Sequence, residues 1–284
     1  MSIVDTYRSL LTTNLLDLLI TILSWGGVIA PSQISNYEYD VLVISNQYKE
    51  DRDEIRAQLQ KMHVDEDKIV FLAENDKLKK EVFTAINRYD EQNDRRVVWL
   101  ASFANYVDFT HMPGNVAECG VNLGEFAYYI NKYFNSKKFY LFDTFQGFSE
   151  KDLKTERQIS GDVFTESIYN TKDLFKLTSI DIVKKRMPNL QQCEFHVGYF
   201  PDSAEKVDDK FCFVNLDTDL YQPILAGLEF FYPKMVEGGV ILVHDFFNTK
   251  LPGVGKAIED YELKQGIRLH KFPIADYLSL AIVK

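Results

Sequence analysis

The chain has no excess of basic residues. It contains 32 Lys and Arg against 42 Asp and Glu in 284 residues, which gives a formal net charge of −10. A protein that binds nucleic acid in general needs a basic field to neutralise the phosphates. The charge balance therefore predicts that nucleic acid is not a partner of this protein.

Cysteine is also scarce, and the three that occur are dispersed as Cys119, Cys193 and Cys212. An odd, scattered count is typical of reduced core thiols in a cytosolic protein. No C-x-x-C pair is present to indicate a zinc site. We therefore predict a cytoplasmic protein without disulfide bonds.

Long hydrophobic runs are missing as well. Residues 10–23 are the most apolar stretch near the N-terminus, but polar residues, among them Thr12, Thr13, Asn14 and Asp17, interrupt them, whereas a membrane span needs about 20 mostly apolar residues. The first residues also lack the basic region and cleavage site of a signal peptide. We predict no membrane span, and we interpret the run as an amphipathic helix that docks on its own domain or on a dimer partner, in a protein that forms homo-oligomers.

The first quarter of the chain has a strand–helix–strand pattern but no phosphate-binding loop. Residues 1–24 have helical spacing, and residues 39–45, 49–62 and 69–72 predict strand, helix and strand. No G-x-G-x-x-G follows a strand anywhere in residues 1–110, so a pyrophosphate has no helix N-terminus to bind. A nucleotide site here is therefore the less favoured alternative.

The segment YDVLVISNQYKEDRDEIRAQLQKMHVDEDKIVF resembles the second half of a Rossmann-like domain attached to some sugar-modifying enzymes. We interpret residues 1–75 as a partial Rossmann-like α/β domain that serves packing, dimerisation or docking. Residues 76–111 are predicted to be a helical connector, with the very polar residues 90–96 as a surface turn within it. Residues 112–284 would then form the main domain.

Residues 115–126 predict a strand, a glycine-containing turn and a helix, with the motif E-x-G-x-x-x-G at Glu118, Gly120 and Gly124. The next strand ends in Asp143, which would accept hydrogen bonds from ribose hydroxyls as in dinucleotide sites. An acid before the first glycine would repel a pyrophosphate, which favours a cationic ligand without phosphate, S-adenosylmethionine, over NAD. Tight helix packing for the glycines and a capping role for Asp143 are the structural alternatives.

Two later loops are predicted to complete the binding site for this ligand. Phe145 follows the second strand directly and would border the adenosine, and Gly198 begins a loop at the same edge of the sheet. Residues 151–170 are polar and have no clean period, which is typical of a lid over a site.

Carboxylates follow two further strands. Asp217 and Asp219 come at the end of an apolar strand, and the next strand ends in His244 and Asp245. Parallel strands place their carboxyl ends side by side, where ligands bind in open α/β sheets, so the four side chains are expected to converge. Oxygen-rich clusters suit Mg²⁺, Ca²⁺ or Mn²⁺, and an imidazole shifts the preference towards softer ions.

The main domain resembles a known family, the S-adenosylmethionine-dependent sugar O-methyltransferases of the macrocin and mycinamicin type (TylF family). The resemblance rests on AECGVNLGEFA, YLFDTFQGF, GYFPDS, LDTDLYQP, YPKMVEGGVILVHDF and PGVGKAIEDY. It implies an α/β fold of the class I Rossmann-like methyltransferases, with a mostly parallel sheet and a terminal antiparallel strand, here preceded by a small α/β domain.

The resemblance also implies roles for the acidic residues. Asp217 matches the first metal-binding Asp, Asp219 the proposed general base, and Asp245 another metal ligand. His244 lies where characterised members often carry Asp, so three roles stay open for it: metal ligand, catalytic base or structural hydrogen-bonder. A plain capping role for Asp217 is a further alternative.

The expected activity is O-methylation of a sugar hydroxyl in a natural product, a nucleotide sugar or a surface glycan, with S-adenosylmethionine as donor and Mg²⁺ or another divalent cation as cofactor. The acceptor would be a small molecule or a glycan precursor. A methyltransferase of a non-sugar molecule and a non-catalytic scaffold that retains the fold are the alternatives. An NAD-dependent sugar oxidoreductase is disfavoured because neither domain carries G-x-G-x-x-G.

Overall fold

The computed structural model describes residues 20–22, 27–29, 42–44, 49–71, 74, 91–92, 94–161, 175 and 178–284. These residues belong to two compact units, Met1–Asp90 and Glu91–Lys284. Residues 76–90 of the predicted connector lie outside the described residues. The domain limits predicted above stay a prediction.

The first unit contains a four-stranded sheet in the order β2-β1-β3-β4. Its elements are β1 (Ile20–Ile22), β2 (Gly27–Ile29), β3 (Leu42–Ile44), α1 (Lys49–Lys61) and β4 (Ile69–Phe71). β3 and β4 pair in parallel on either side of α1 in the sequence, which confirms the predicted strand–helix–strand unit. A small core of Leu42, Ile44, Ile55, Leu59 and Phe71 joins the sheet to the helix.

The helix predicted over residues 1–24 is wrong at Ile20–Ile22, which form a strand. This strand pairs antiparallel with both β2 and β3. The sequence Ile-Thr-Ile is β-branched throughout, and such residues favour strands when neighbouring strands are present. Residues 1–19 lie outside the described residues.

The second unit alternates strands and helices. Its elements in chain order are α2 (Arg95–Phe109), β5 (Asn115–Cys119), α3 (Glu125–Tyr133), β6 (Phe139–Asp143), α4 (Glu150–Ser160), α5 (Ile180–Arg186), β7 (Cys193–Val197), β8 (Phe211–Leu216), α6 (Tyr221–Phe231), β9 (Met235–Val243), α7 (Pro252–Gln265), β10 (His270–Pro273) and β11 (Leu280–Val283).

These strands form a seven-stranded sheet in the order β10-β11-β9-β8-β5-β6-β7. The strands β9, β8, β5, β6 and β7 are parallel. β11 pairs antiparallel with β9 and β10. The predicted mostly parallel sheet with a terminal antiparallel strand is therefore confirmed.

Helices cover both faces of this sheet. Helices α4, α6 and α7 pack on one another over one face, where a core rich in phenylalanine includes Phe142, Phe200, Phe211 and Phe231. On the opposite face, Phe213 stacks on Phe134 with a centroid distance of 5.4 Å. Two layers of helices around a buried sheet explain why every residue of β8 is buried.

Two features bear on the predictions about disulfide bonds and membrane spans: the state of the cysteines and the character of the helices. The three cysteines are free, and Cys119 and Cys212 are buried, as predicted for core thiols. Within the described residues, no helix has both the length and the apolar character needed to cross a bilayer.

The limits of three elements depend on local features. Residues 235–239 belong to β9, because the chain passes Gly238 with φ +76° and continues the strand through a register shift. The first part of the predicted lid is the regular helix α4, whose N-terminus is capped by Ser149 accepting a hydrogen bond from the Asp152 amide. Helix α7 begins at Pro252, where proline suits the first helical turn.

Candidate active site

The carboxyl ends of four parallel strands meet at one edge of the large sheet. The amide of Gly120 donates to the carbonyl of Phe142, and the amide of Asp217 donates to the carbonyl of Cys119 at 2.9 Å. The amide of His244 in turn donates to the carbonyl of Leu216. These backbone bonds place the residues that follow β5, β8 and β9 side by side, as the sequence predicts.

Gly120 makes the close approach of two of these loops possible. Its φ is +90°, and a Cβ at this position would lie 2.0 Å from the carbonyl oxygen of Asp217. Gly124, with φ +76°, precedes α3 in the same loop, and a Cβ there would lie 2.9 Å from Cγ1 of Val183. Only glycine fits either position, because any side chain would collide in a backbone conformation that already disfavours one.

Asp143 organises the glycine loop through its carboxylate. Oδ2 accepts from the amides of Val121 at 2.7 Å and Asn122 at 2.8 Å, and Oδ1 accepts from the amide of Phe145 at 2.7 Å. Burial raises the pKa of Asp143 above its ordinary value, and these amides offset part of the rise. Much of its acceptor capacity is therefore committed to the loop, and its role towards a ribose stays a prediction.

A cavity of about 700 Å³, partly open to solvent, lies against this edge of the sheet. Of the residues predicted to bind the donor, Gly120, Asp143 and Gly198 line it, together with Asp217 and Asp219. Aromatic side chains and the helix α4 complete its wall with Phe148, Phe175, Tyr199, Phe200, Ser149 and Asp152. The predicted residues Glu118, Gly124 and Phe145 are not among the lining residues.

Glu118 instead lies inside the sheet. Its side chain is 1 % exposed, and Oε1 accepts from Nδ2 of Asn215 on the neighbouring strand at 2.8 Å. Oε2 is buried without a hydrogen-bond partner among the described residues. Burial and the nearby Asp217 raise the pKa of Glu118 well above its ordinary value. Its predicted part in donor binding stays a prediction.

Gly198 and Phe145 both contact Asp143 through their backbones. The amide of Gly198 donates to the carbonyl of Asp143 at 3.0 Å, so the loop after β7 adjoins the end of β6. Phe145 has φ +52° and donates its amide to the Asp143 carboxylate. The structure therefore brings both residues to the predicted edge, although only Gly198 reaches the cavity.

His244 lies between two carboxylates. Its Nδ1 is 2.8 Å from Oδ2 of Asp245 and 3.2 Å from Oδ1 of Asp217. One ligand atom from each of these three residues lies within 4.8 Å of the others. Asn248 orients the cluster by donating from Nδ2 to Oδ1 of Asp245 at 2.8 Å. The convergence predicted from the strand ends is confirmed for these residues.

Comparisons with known proteins identify the family of this chain. The family model of macrocin O-methyltransferase (TylF) matches residues 92–277. The chain belongs to this family. It is therefore an S-adenosylmethionine-dependent O-methyltransferase of the family that methylates sugar hydroxyls. The family model of the C2185-like N-terminal domain matches residues 17–70.

Solved structures of two methyltransferases share the fold. The O-methyltransferase NovP is 18% identical, with a TM-score of 0.57, over 74% of this chain and 99% of that chain. The calicheamicin methyltransferase CalS11 is 18% identical, with a TM-score of 0.51, over 66% of this chain and 80% of that chain. No curated protein matches the sequence. The predicted class I Rossmann-like methyltransferase fold is confirmed.

In the cluster of Asp217, His244 and Asp245, the charges of the side chains offset one another. Burial opposes ionisation of Asp217, but His244 and Arg96 outweigh it and hold the pKa of this carboxyl below its usual range. The pKa of Asp245 is lowered in the same way, mainly by His244 against burial. Burial and Arg96 would lower the pKa of His244, but the two carboxylates raise it to about 10. The cluster therefore holds a positive charge between two negative ones.

A divalent cation fits these donor atoms. Carboxylate oxygens suit Mg²⁺ and Mn²⁺, and a neutral imidazole nitrogen is a common ligand of the softer ions. A cation would take over the positive charge that His244 carries between the carboxylates, since a ligating imidazole must first lose its proton. The residues present thus fit the cation that the sequence predicts.

Asp219 faces the cavity beside this cluster. Its φ is +61°, and that of Asp245 is +58°, so both adopt a left-handed backbone that is sparsely populated outside functional sites. Burial, followed by the charges of Asp245 and Asp217, raises the pKa of Asp219 well above its ordinary value, and its carboxyl shares a hydrogen bond with Asp245. Asp219 is thus a carboxyl with high affinity for a proton.

The sequence analysis missed Arg96, which it placed in a surface turn. Asp94 caps helix α2, and Arg96 in its first turn is 2 % exposed. Its Nη2 donates to Oδ2 of Asp217 at 2.9 Å and to Oδ1 of Asn215 at 2.7 Å. Helical spacing carried the signal, because Arg96 falls on the same face as the buried Leu100 and Val107.

Proposed function

We propose that this methyltransferase methylates a sugar hydroxyl with the help of a divalent cation held by Asp217, His244 and Asp245. The observation that carries the proposal is the position of His244 Nδ1 within 3.2 Å of both carboxylates, at the edge of the cavity that Gly120 and Asp219 line. The acidic cluster and the glycine loop are thus parts of one site.

The donor would occupy the cavity. S-adenosylmethionine supplies a methyl group activated by a sulfonium. Gly120, which lines the cavity, would allow the backbone to come close to it, and Gly124 would serve the donor by permitting the close contact of this loop with Val183. Asp143 keeps the loop in place through the amides of Val121 and Asn122. Phe145 and Gly198 hold the adjoining loops against Asp143. Glu118, two residues before Gly120, remains a proposed donor-binding residue.

The cation site would prepare the acceptor. A bound divalent cation lowers the pKa of a hydroxyl and orients it. Asp217 and Asp245 would each offer an oxygen and His244 its Nδ1. Asn248, which donates to the other oxygen of Asp245, fixes the direction of that carboxylate.

Asp219 is the proposed general base. It lines the cavity beside the cation cluster, where a carboxylate within reach of the acceptor hydroxyl can take its proton. The acceptor's hydroxyl proton would move to a carboxylate oxygen of Asp219 as the oxygen attacks the methyl carbon. The S–CH₃ bond of the sulfonium would break in the same step, and the donor would leave as the neutral thioether S-adenosylhomocysteine. His244 is the alternative base, but its Nδ1 faces Asp217 and Asp245, which suits a ligand better.

The class of acceptor and the cellular location complete the proposed function. We propose a sugar in a natural product, a nucleotide sugar or a surface glycan, carried on a small molecule or a glycan precursor. The acidic composition supports a partner other than nucleic acid. A homo-oligomer in the cytoplasm completes the proposal.

Calorimetry and a methyl-transfer screen test this function. S-adenosylmethionine should bind the wild-type protein, and transfer to a panel of nucleotide sugars should need Mg²⁺ or Mn²⁺ and stop with EDTA. Donor binding with transfer to catechols but not to sugars would overturn the acceptor class. Full activity in EDTA would overturn the role of the cation, and no donor binding at millimolar concentration would overturn the enzyme itself.

A further inference from the structure

Arg96 lies directly behind the proposed cation site, on a helix outside the sheet. We infer that Arg96 is a positioning residue, which holds one oxygen of Asp217 so that the other is presented to the cation. The inference rests on the proposed function, because the orientation of Asp217 matters in this way only if Asp217 holds the cation. Arg96 lies outside the sequence motifs on which the family resemblance rests.

The contacts of Arg96 hold its guanidinium group in one orientation. Nη2 carries two N–H groups, and one is directed to Oδ2 of Asp217 and the other to Oδ1 of Asn215. The guanidinium carbon lies 3.8 Å from the ring centroid of Phe126, so the flat group packs on an aromatic side chain. A buried arginine with this set of contacts has little freedom to turn.

The two oxygens of Asp217 therefore have separate partners. Oδ2 accepts from Arg96, and Oδ1 lies 3.2 Å from Nδ1 of His244. A carboxylate that is free to rotate can offer a cation either oxygen or both. With Oδ2 held by Arg96, Asp217 would present Oδ1 to the cation, on the side where His244 and Asp245 lie.

The same arginine connects the cation half of the site with the donor half. Asn215, which accepts from Arg96, donates its own amide to Oε1 of Glu118 at 2.8 Å. Phe126 belongs to α3, the helix that begins directly after the glycine loop. The contacts to Asp217 are direct, whereas those to the donor loop pass through other residues. Loss of Arg96 should therefore weaken cation binding more than donor binding.

Lysine cannot replace this arginine. An ammonium group is a point charge on a flexible stem, while the guanidinium offers a planar set of donors in fixed directions. Substitution of the residues that orient metal ligands typically weakens metal binding about 10- to 100-fold. For R96K we expect the dissociation constant of Mn²⁺ to rise at least about tenfold, with a smaller change in that of S-adenosylmethionine.

The experiment measures Mn²⁺ binding by electron paramagnetic resonance and donor binding by calorimetry, in wild type, R96K and R95K. R95K is the matched control, because Arg95 precedes Arg96 on the same helix but is exposed and bonds to Ala275 and Tyr277. R95K should bind both ligands as wild type does. The variants D217N and D217N/R96K complete a double-mutant cycle. Once Asp217 has been replaced, R96K should cost little further Mn²⁺ affinity, because the partner of Arg96 is gone.

The possible outcomes separate the role of Arg96 from the proposed methylation. Unchanged Mn²⁺ affinity in a folded R96K, or equal losses with and without Asp217, overturns the positioning role and leaves the proposed methylation standing. Wild type that binds donor but no Mn²⁺ overturns both the cation site and this inference. Circular dichroism checks folding. If R96K does not fold, R96Q, whose neutral amide can still donate one hydrogen bond, replaces it under the same two outcomes.

Discussion

Asp219 lines the cavity, and burial, followed by the charges of Asp245 and Asp217, raises its pKa. We predict that Asp219→Asn lowers kcat by about 10²- to 10⁴-fold, the usual contribution of a general base. Donor affinity should stay near that of wild type, because Asn keeps the size of the side chain. Steady-state kinetics and calorimetry measure the two effects.

The control for this variant is Asp108→Asn, an exposed aspartate on α2. It should leave kcat unchanged. A kcat in Asp219→Asn within the error of wild type would assign the proton to another group, with His244 next in line.

Gly120 permits the close contact between the loops after β5 and β8. We predict that Gly120→Ala abolishes donor binding and costs more stability than the roughly 1–3 kcal/mol of a strained backbone alone, because its Cβ would lie 2.0 Å from the carbonyl oxygen of Asp217. Gly161→Ala is the matched control, since Gly161 also has positive φ (+56°), but among the described residues no atom beyond its chain neighbours lies within 4 Å of the added Cβ. Denaturant unfolding and calorimetry compare the two. Equal costs would mean that the contact at Gly120 relaxes freely.

Glu262 gives a pH-dependent contribution to stability. Oε1 accepts from the amide of Leu269 at 2.8 Å, and Oε2 lies 2.7 Å from Nζ of Lys271. Burial would raise the pKa of this carboxyl, but these partners hold it below its ordinary value. The stabilisation is therefore fully present above the ordinary glutamate pKa and is lost as the pH falls through the lower folded value.

We predict that Glu262→Gln costs about 1.5–3 kcal/mol at neutral pH, as for hydrogen bonds to charged groups. The difference from wild type should shrink below about pH 4, where the ordinary glutamate pKa lies. Urea unfolding at several pH values measures it. A difference that does not change with pH would show that packing, not charge, is what Glu262 contributes.

Among the elements, α4 shows how one helix supports two loops of the site. Glu156 is fully buried, and its carboxylate accepts from the amide of Tyr221 at 2.7 Å and that of Gly253 at 3.1 Å. These amides belong to the first turns of α6 and α7, the helices that follow the two acidic loops. A carboxylate at helix N-termini satisfies amides that have no partner within the helix.

We predict that Glu156→Gln destabilises the protein by about 1–3 kcal/mol, because the amide NH₂ of Gln would face a backbone N–H. Glu150→Gln, an exposed position on the same helix, should cost much less. Thermal unfolding measures both variants. An equal melting temperature for wild type and Glu156→Gln would contradict the double cap.

The elements also show where sequence patterns are sufficient. The limits of α5 are defined locally, by Ser179 as its N-terminal cap and by Pro188 after its end. In β9, by contrast, only the pairing with β8 reveals that Gly238 lies within a strand. Helix α4 was hidden because polar residues dominate its sequence, and its buried Glu156 is satisfied by distant amides.

At the scale of the whole molecule, every residue proposed to bind donor, cation or proton lies in the unit Glu91–Lys284. We predict that a fragment of residues 91–284 folds and binds S-adenosylmethionine with the affinity of the full chain. Circular dichroism and calorimetry on both proteins provide the comparison. A folded fragment that does not bind the donor would assign part of the donor site to residues 1–90.

The sequence alone determined that the sheet is mostly parallel and which of its strands end in acidic residues. Apolar runs identify buried strands locally, and topological rules give the direction of the crossover connections between them. The sequence also pointed to Asp217, His244 and Asp245 as neighbours, since parallel strands end at one edge. Only the tertiary structure decided that Glu118 is buried rather than facing the cavity and that Arg96 reaches Asp217. Both depend on contacts between residues more than 90 positions apart, which no local pattern specifies.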